Sequence, residues 1–518
     1  MAEAPRSSPP TGKVEPYVPA SKSLPELTIG VLLLGAILSV VLGGANAYLG
    51  MFAGMTVSAS VPAAVISMGI LRALRTGNIL QNNAVQTAAA SGEGLASGVI
   101  FTLPAMVILN KWQHFSYLET TLIAAFGGIL GVLFTIPLRR ALIIDQPLQF
   151  PEGVATAEVL KVGAEGGGGL RVLVLSAVIG AVVKIGATGL KLWAETVRFG
   201  GWLSGGTATA SAATAAPATG AAAASSGVPF YFGINASPAL LSVGYIVGFN
   251  VASVIFAGSV LNRWIAVPLF SVFGDASAIM TTNNADTHIT LAQALQGASA
   301  LDAADLYHKF VTRYLGVGGM LVGGVWSLYK LRKSLLGGIT AGLEAYKKRS
   351  AGSHEAIVRT EHDMPMNIIL ILIVASVIPL FFIFWHFTGS AWVSVVMAVV
   401  MVIAGFLFSA VASYMAGLVG SSNNPVSGIT ISTILVSALL LLALGLKTPA
   451  GPIAAVLIGG VVCCAAAIGG DNLQDLKCGQ LVGSTPWKQQ VMQILGVVVA
   501  AFLMAPVLNL LNDAYTIG

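Results

Sequence analysis

The chain has 518 residues, 56% of them apolar or aromatic and only 9% charged, with a mean hydropathy of +0.85 and a net charge of +5. A soluble domain carries about 25% charge, so this composition excludes a water-soluble multidomain protein and points to one integral membrane body. The basic residues form no stripe interleaved with aromatics, which argues against a nucleic-acid partner, and Cys463, Cys464 and Cys478 build no disulfide framework.

Residues 1–26 are polar and Pro-rich and read as a cytoplasmic tail. A signal peptide would open on a short basic region and a short apolar core. Here the apolar run starts at Leu27 and continues to Tyr48, which favours an uncleaved first helix. A spanning helix needs about 20 mostly apolar residues. Runs of that kind cover 27–48, 51–71, 118–138, 169–192, 239–260, 311–329, 366–387, 391–416, 429–446, 449–469 and 490–511, with shorter ones at 95–110 and 264–274. The expected fold is an all-α polytopic membrane protein of about 13 spans. Residues 204–227 are a low-complexity Ala/Thr/Ser stretch and read as a flexible outer loop. The stretch 275–307, with Asp275, Asp286, Asp302 and Asp305, reads as a solvated outer connection, and 331–365 as a cytoplasmic linker.

Cytoplasmic loops are enriched in Lys and Arg. With the N-terminus inside and each run crossing once, the inner segments hold 18 basic residues, Arg263 among them, and the outer segments four, Arg198 among them. That asymmetry predicts a cytoplasmic N-terminus, with the loops at 193–238 and 275–307 outside.

Two landmarks recur in the same order. Asn82-Asn83-Ala84-Val85 follows the second run and Asn423-Asn424-Pro425-Val426 the tenth. Each precedes a Ser-Gly pair, two apolar runs and then an Asp with a Leu-Gln pair, at Asp145 to Gln149 and at Asp471 to Gln474. This predicts two parallel repeats, 27–330 and 366–518, the second incomplete. Repeats are common in secondary transporters, which bind substrate where the halves meet. The first repeat runs through four more spans after its Asp/Leu-Gln motif and the second through one, so about three further helices are expected beyond Gly518.

Four segments are too polar to span and too apolar for ordinary loops: 79–94, 146–163, 419–430 and 470–489. Irregular backbone at membrane depth is tolerated only where it is buried in protein or lines a watery cavity, so re-entrant or broken helices lining a cavity are expected. The polar side chains there, Asn82, Asn83, Gln86, Thr87, Asn423, Asn424, Asp471, Asn472 and Gln474, are the candidate solute-binding residues. Intramembrane carboxyl groups are costly and functional, and Glu93 and Glu152 are the candidate proton carriers. The alternative for both is a capping or hydrogen-bonding role at a helix end. Glu158 is a weaker candidate, because Lys161 lies three residues on and can pair with it.

At these segments the chain resembles the oligopeptide transporter (OPT) family, particularly its bacterial members. The matching stretches are NNAVQTAAASGEGLASGVIFTLPA, FPEGVATAEVL, GSSNNPVSGITISTILV and GDNLQDLKCGQLVGSTPWKQQ; YIVGFNVASVIFAG and YLGVGGMLVGGVWSL are similar to the family too. The resemblance implies about 16 helices in two eight-helix halves, and symport of peptides or metal chelates driven by protons, with eukaryotic relatives moving metal–nicotianamine or siderophore complexes. The chain departs from the family where about three helices are absent at its end, read as a fragment or truncated gene model, and in the Ala/Thr/Ser-rich insertion.

The expected function is a proton-coupled secondary transporter of small peptides or peptide-like metal chelates in a bacterial inner membrane. Its partners are the solute, protons and the bilayer, with no cofactor and no bound metal. A passive channel or a membrane-embedded enzyme is the alternative. No His-Glu-x-x-His, Gly-x-Ser-x-Gly or phosphate-loop motif supports an enzyme or ATP-driven transport.

Overall fold

With no water to satisfy exposed backbone, a chain in lipid closes its hydrogen bonds internally, and this one does so largely in helices. The computed structural model describes residues 15–53, 56–145, 147–165, 168–194, 196–203, 227–235, 238–282, 288–316, 318–319, 322–323, 326, 329, 358–422, 424, 426–446 and 450–515. Among them, nine helices are long and apolar enough to cross a membrane, and the protein is an all-α polytopic membrane protein. The described residues fall into two compact units, one drawn from 15–170, 358–426 and 433–515, the other from 171–329 with 427–432.

The first unit holds α1 (Ile29–Ala53), α2 (Ser60–Ala73), α3 (Ile79–Ile100), α4 (Pro104–Ile108), α5 (Tyr117–Arg139) and α6 (Pro151–Glu165). In α1, Ile29, Leu33, Ile37 and Val41 are exposed and make an apolar stripe suited to lipid, while Val31, Leu34 and Leu38 face inward. α3 is helical despite its polarity because its start is well capped. Asn78 Oδ1 accepts from Leu80 N (2.9 Å) and Gln81 N (3.1 Å), and Gln81 Oε1 accepts from Asn78 N (3.0 Å), a reciprocal capping box. Its Ala, Ser and Gly residues let neighbouring helices approach closely on every side, and nearly all of α3 is buried.

The second unit, taken by itself, contains α7 (Gly168–Lys184), the antiparallel strands β1 (Thr196–Leu203) and β2 (Val228–Asn235), α8 (Pro238–Val260) and α9 (Val267–Phe273). The short pair β3 (Met280–Thr282) and β4 (His288–Thr290), α10 (Leu291–Ala294) and α11 (Ala300–Tyr307) complete it.

The first unit resumes with α12 (Met366–Thr388), α13 (Ala391–Val419), α14 (Val426–Ala443, which both units share), α15 (Ala450–Val482) and α16 (Pro486–Tyr515). α15 is the core: its 33 residues pack against α3, α5, α6 and α13 and are almost all buried. At 1.5 Å per residue it is about 50 Å long, beyond the roughly 30 Å of hydrocarbon, so a polar end can continue the helix. Glycines make the contacts close: a Cβ on Gly131 of α5 would lie 2.8 Å from Ala465 O.

Several expectations are corrected. The run 95–110 is no separate span; it completes α3 and α4 within one stretch, Ile79–Ile108. The runs 239–260 and 264–274 are one uninterrupted helical stretch, because a π-helical turn, Leu261–Ala266, joins α8 to α9, so no crossing separates them. Nor are 275–307 a mere solvated connection: Leu291, Ala304 and Tyr307 pack with Val267 in a small core. Asp305 Oδ1 meets Arg263 at 2.8 Å and its Oδ2 meets Arg198 at 3.4 Å. Two arginines that share one carboxylate lie on one side, so the assignment of Arg263 to the inner face and Arg198 to the outer does not hold. The loop at 204–227 lies outside the described residues except for Gly227, and so do part of 311–329 and most of the linker 331–365.

The re-entrant backbone expected at 79–94 and 470–489 is likewise replaced. The first segment is continuous helix within α3, and residues 470–482 are the last third of α15. A break does occur between α13 and α14, where Gly420 adopts φ +90° and Asn424 N returns to Ser421 O (3.0 Å). The first Asn-Asn landmark therefore sits inside the opening turns of a helix, whereas Asn424 of the second precedes one.

Candidate functional site

Four carboxyl groups meet inside the first unit: Glu93 from α3, Glu152 from the first turn of α6, and Asp471 and Asp475, one turn apart on α15. Glu93 interacts electrostatically with the other three. It is fully engaged: Asn46 Nδ2 of α1 donates to Oε1, and Ala59 N, at the start of α2, donates to Oε2 (3.2 Å). Glu152 reaches the break after α13, where Ser421 Oγ donates to Oε2 and Ser422 N to Oε1 (3.0 Å). Gly420 is required there, since its φ is left-handed and a Cβ would sit 2.7 Å from Glu152 Oε1. Asp471 shares Ser421 with Glu152 and packs directly on Gly94, beside Glu93. Asp475 Oδ1 accepts from Gln86 Nε2 and from Ser60 Oγ (3.2 Å).

The donors to these groups are neutral amides, hydroxyls and backbone N–H groups. Among the described residues no ion pair reaches any of the four, and no three His, Cys, Asp or Glu side chains converge as a metal shell. Placing several carboxylates together away from water without a counter-cation is electrostatically expensive. The arrangement therefore favours the neutral form of at least part of the cluster.

Beside it lies an amide lattice. Asn83 Nδ2 donates to Gln86 Oε1 (3.0 Å), while Asn83 Oδ1 accepts from Ser484 Oγ (2.7 Å) and Gln489 Nε2 (3.0 Å); Gln489 Nε2 also reaches Thr87 Oγ1 (3.2 Å). Asn82 stands apart, with Ser67 Oγ donating to its Oδ1 (3.3 Å). Gln474 clamps two elements, since its Oε1 accepts from Gly153 N (2.8 Å) and its Nε2 donates to Ala416 O (2.7 Å). Asn472 Oδ1 accepts from Ser91 Oγ (3.0 Å). Asn472 Nδ2 and Asn424 Oδ1 are buried without a partner among the described residues. Asn423 lies outside the described residues. Glu158 pairs with Lys161 at 2.8 Å on α6.

Sequence reasoning missed Asn46, Ser60, Ser421, Ser422 and Asp475. Asp475 had a legible signal, its i+4 spacing from Asp471 on one helix face. Ser421 and Ser422 lay within the polar segment 419–430 without being singled out, and Ser60 and Asn46 had no signal, because they reach the site only through tertiary packing.

A family model described as OPT oligopeptide transporter protein matches residues 26–518. A Haemophilus influenzae protein described as "Putative oligopeptide transporter" is 35% identical over 487 residues, covering 90% of this chain and 70% of that protein. A Saccharomyces cerevisiae protein with the same description is 24% identical over 160 residues, 27% of this chain and 22% of that one. The region that carries the carboxyl cluster and the amide lattice falls wholly within the family match. The chain thus belongs to the OPT oligopeptide transporter family.

Proposed function

We propose that the protein is a secondary active transporter of small peptides or peptide-like metal chelates, driven by protons that move with the solute. The observation that carries this reading is the array of Glu93, Glu152, Asp471 and Asp475, held between helices with all but the half-exposed Asp471 buried, and served among the described residues by neutral donors. An intramembrane carboxyl group without a fixed counter-cation is suited to bind and release a proton during a cycle. The family membership and the similarity to proteins described as oligopeptide transporters support a peptide solute.

In this reading Glu93 and Glu152 carry protons. Asp471, Asn472 and Asn424 face the solute, the last two offering an amide donor and an amide acceptor that the protein leaves unused. Asn83, Gln86, Thr87 and Gln474 hold the helices that carry them, with Asn82 at the edge. The repeats at 27–330 and 366–518 rock about this region, in a bacterial plasma membrane with the N-terminus in the cytoplasm. Cysteine introduced at Ser204 or Ser211 is then labelled from outside; labelling from the cytoplasm refutes the orientation.

The test of function is uptake by proteoliposomes from a panel of labelled peptides and metal chelates, with and without an imposed pH gradient. Accumulation that needs the gradient and collapses with a protonophore is the expected result, and Glu93→Gln with Glu152→Gln abolishes it while solute exchange persists. Accumulation by that double variant in proportion to the gradient eliminates both residues as carriers. Flux indifferent to a protonophore identifies a channel, and a chemically altered product an enzyme.

A further inference from the structure

Of the four clustered carboxyl groups, Asp475 is built differently. Glu93 and Glu152 have donors on both oxygens. Asp475 has donors on Oδ1 alone, from Gln86 and Ser60. Its Oδ2 has no hydrogen-bond partner among the described residues, although the side chain is only 1% exposed. A buried polar atom left without a partner costs the full desolvation of that group, and for a carboxylate oxygen a bound proton lowers that cost.

The surroundings decide what occupies it. The titratable groups that face Asp475 are Glu93 from α3, Glu152 from α6, and Asp471 and Cys478 from its own helix. None is basic. The cations on elements packed around α15 are turned to other partners. Lys477 donates to Gln480 (2.9 Å), Lys161 to Glu158 (2.8 Å), Arg139 of α5 to Asp363 (2.6 Å) and Lys488 of α16 to Glu26 (3.0 Å). Tyr414 of α13 packs instead with the apolar group around Phe150 and Leu473. The Oδ1 side is fixed from behind, because Gln86 is held by Asn83, which Ser484 and Gln489 hold in turn. Only Oδ2 is left to change its state.

We propose that Asp475 is a third proton station, separate from Glu93 and Glu152, which takes up and returns its proton on Oδ2. This rests on the proton-driven reading above and adds to it that more than one proton accompanies each solute. Asp475→Asn is the matched probe, since its amide keeps an acceptor for Gln86 and Ser60 and fixes a neutral group at the other position.

The first measurement needs no solute: infrared difference spectra of the full chain in liposomes as the pH is stepped. The wild type is expected to show carboxylic-acid carbonyl bands, one of which is lost in Asp475→Asn and returns at a shifted position in Asp475→Glu. Glu93→Gln and Glu152→Gln each remove a different band. If Asp475→Asn keeps every wild-type band, or Asp475→Glu moves none, the proposal is overturned. The second measurement is the proton-to-peptide ratio with labelled tri-alanine at a clamped membrane potential. A ratio lower by one proton in Asp475→Asn supports the station, and an unchanged ratio overturns it. Should the wild type fail to accumulate tri-alanine under a pH gradient, the peptide-transport reading fails by itself, and the infrared bands still decide Asp475.

Discussion

Glu93 is held in a donor pattern that an amide cannot satisfy. Asn46 donates from Nδ2 to Glu93 Oε1, and its own Oδ1 accepts from Val57 N (3.1 Å), so the amide cannot turn over without losing that bond. Ala59 N donates to Oε2. In Glu93→Gln, the new Nε2 must face either Ala59 N, donor against donor, or Asn46, which must then flip and set its own Nδ2 against Val57 N. One backbone N–H loses its acceptor either way, the buried one of Ala59 or the half-buried one of Val57, at about 1–3 kcal/mol where it is buried. Asn46→Asp reverses the polarity. In the double variant, the introduced carboxylate accepts both from Val57 N and from the Nε2 of the introduced amide, whose Oε1 accepts in turn from Ala59 N. The Asn46→Asp change alone sets two carboxylates face to face and is destabilising. A double-mutant cycle on unfolding free energy in detergent is therefore expected to give a favourable coupling of at least about 1–3 kcal/mol. Additivity within about 0.5 kcal/mol would refute this hydrogen-bond assignment.

Three further outcomes follow from contacts elsewhere. Arg139, whose side chain is 3% exposed, is bound bidentately by Asp363 (2.7 and 2.6 Å); Asp363→Ala should cost about 3 kcal/mol by stranding the cation, whereas Arg139→Met with Asp363→Leu should cost far less, as read by chemical unfolding. Gly131→Ala should destabilise by about 1–3 kcal/mol, because its Cβ would meet Ala465 O, Ala465 Cα and Ile468 Cβ at 2.8–2.9 Å and neither helix backbone can yield cheaply; a neutral effect in thermal unfolding would disprove that close approach. In the second unit, burial first and then Arg263 hold the His308 imidazole below its ordinary 6.5, with Asp305 opposing. The unfolded chain is then the better proton binder, so stability falls as pH drops below 6.5 and recovers above it. An NMR titration should place the midpoint below 6.5, and His308→Gln should remove the acid-side loss.

The Glu158–Lys161 pair and the buried Cys463 and Cys464 were readable because each depends on neighbours a few residues away or on simple apolarity. The bland reading of Glu93 and Glu152 was also legible: each accepts a backbone N–H, at Ala59 and at Ser422. The re-entrant expectation failed for a definable reason. Segments 79–94 and 470–482 are rich in small and polar residues, which read as broken helix when the reference is lipid. Surrounded by protein, the same residues make tight helix–helix contacts, and polar groups such as Gln86 with Asp475 Oδ1, Ser91 with Asn472 Oδ1 and Asn83 with Ser484 pair across the interface.

Composition and hydropathy by themselves determined that this is a helical membrane protein, because so few charges can be accommodated only where lipid is the solvent, and the motif set determined its family. What only the tertiary structure decided is which polar residues share a site. Asn46, Glu93, Glu152, Ser421 and Asp475 are spread over more than 400 positions of sequence, and no local periodicity links them. They meet because α3 and α15 are lined with glycine and alanine and pack closely, while Gly420 turns the chain after α13 back onto Glu152. Packing of this kind is a property of helix pairs, and a single sequence read along its length contains no term for it.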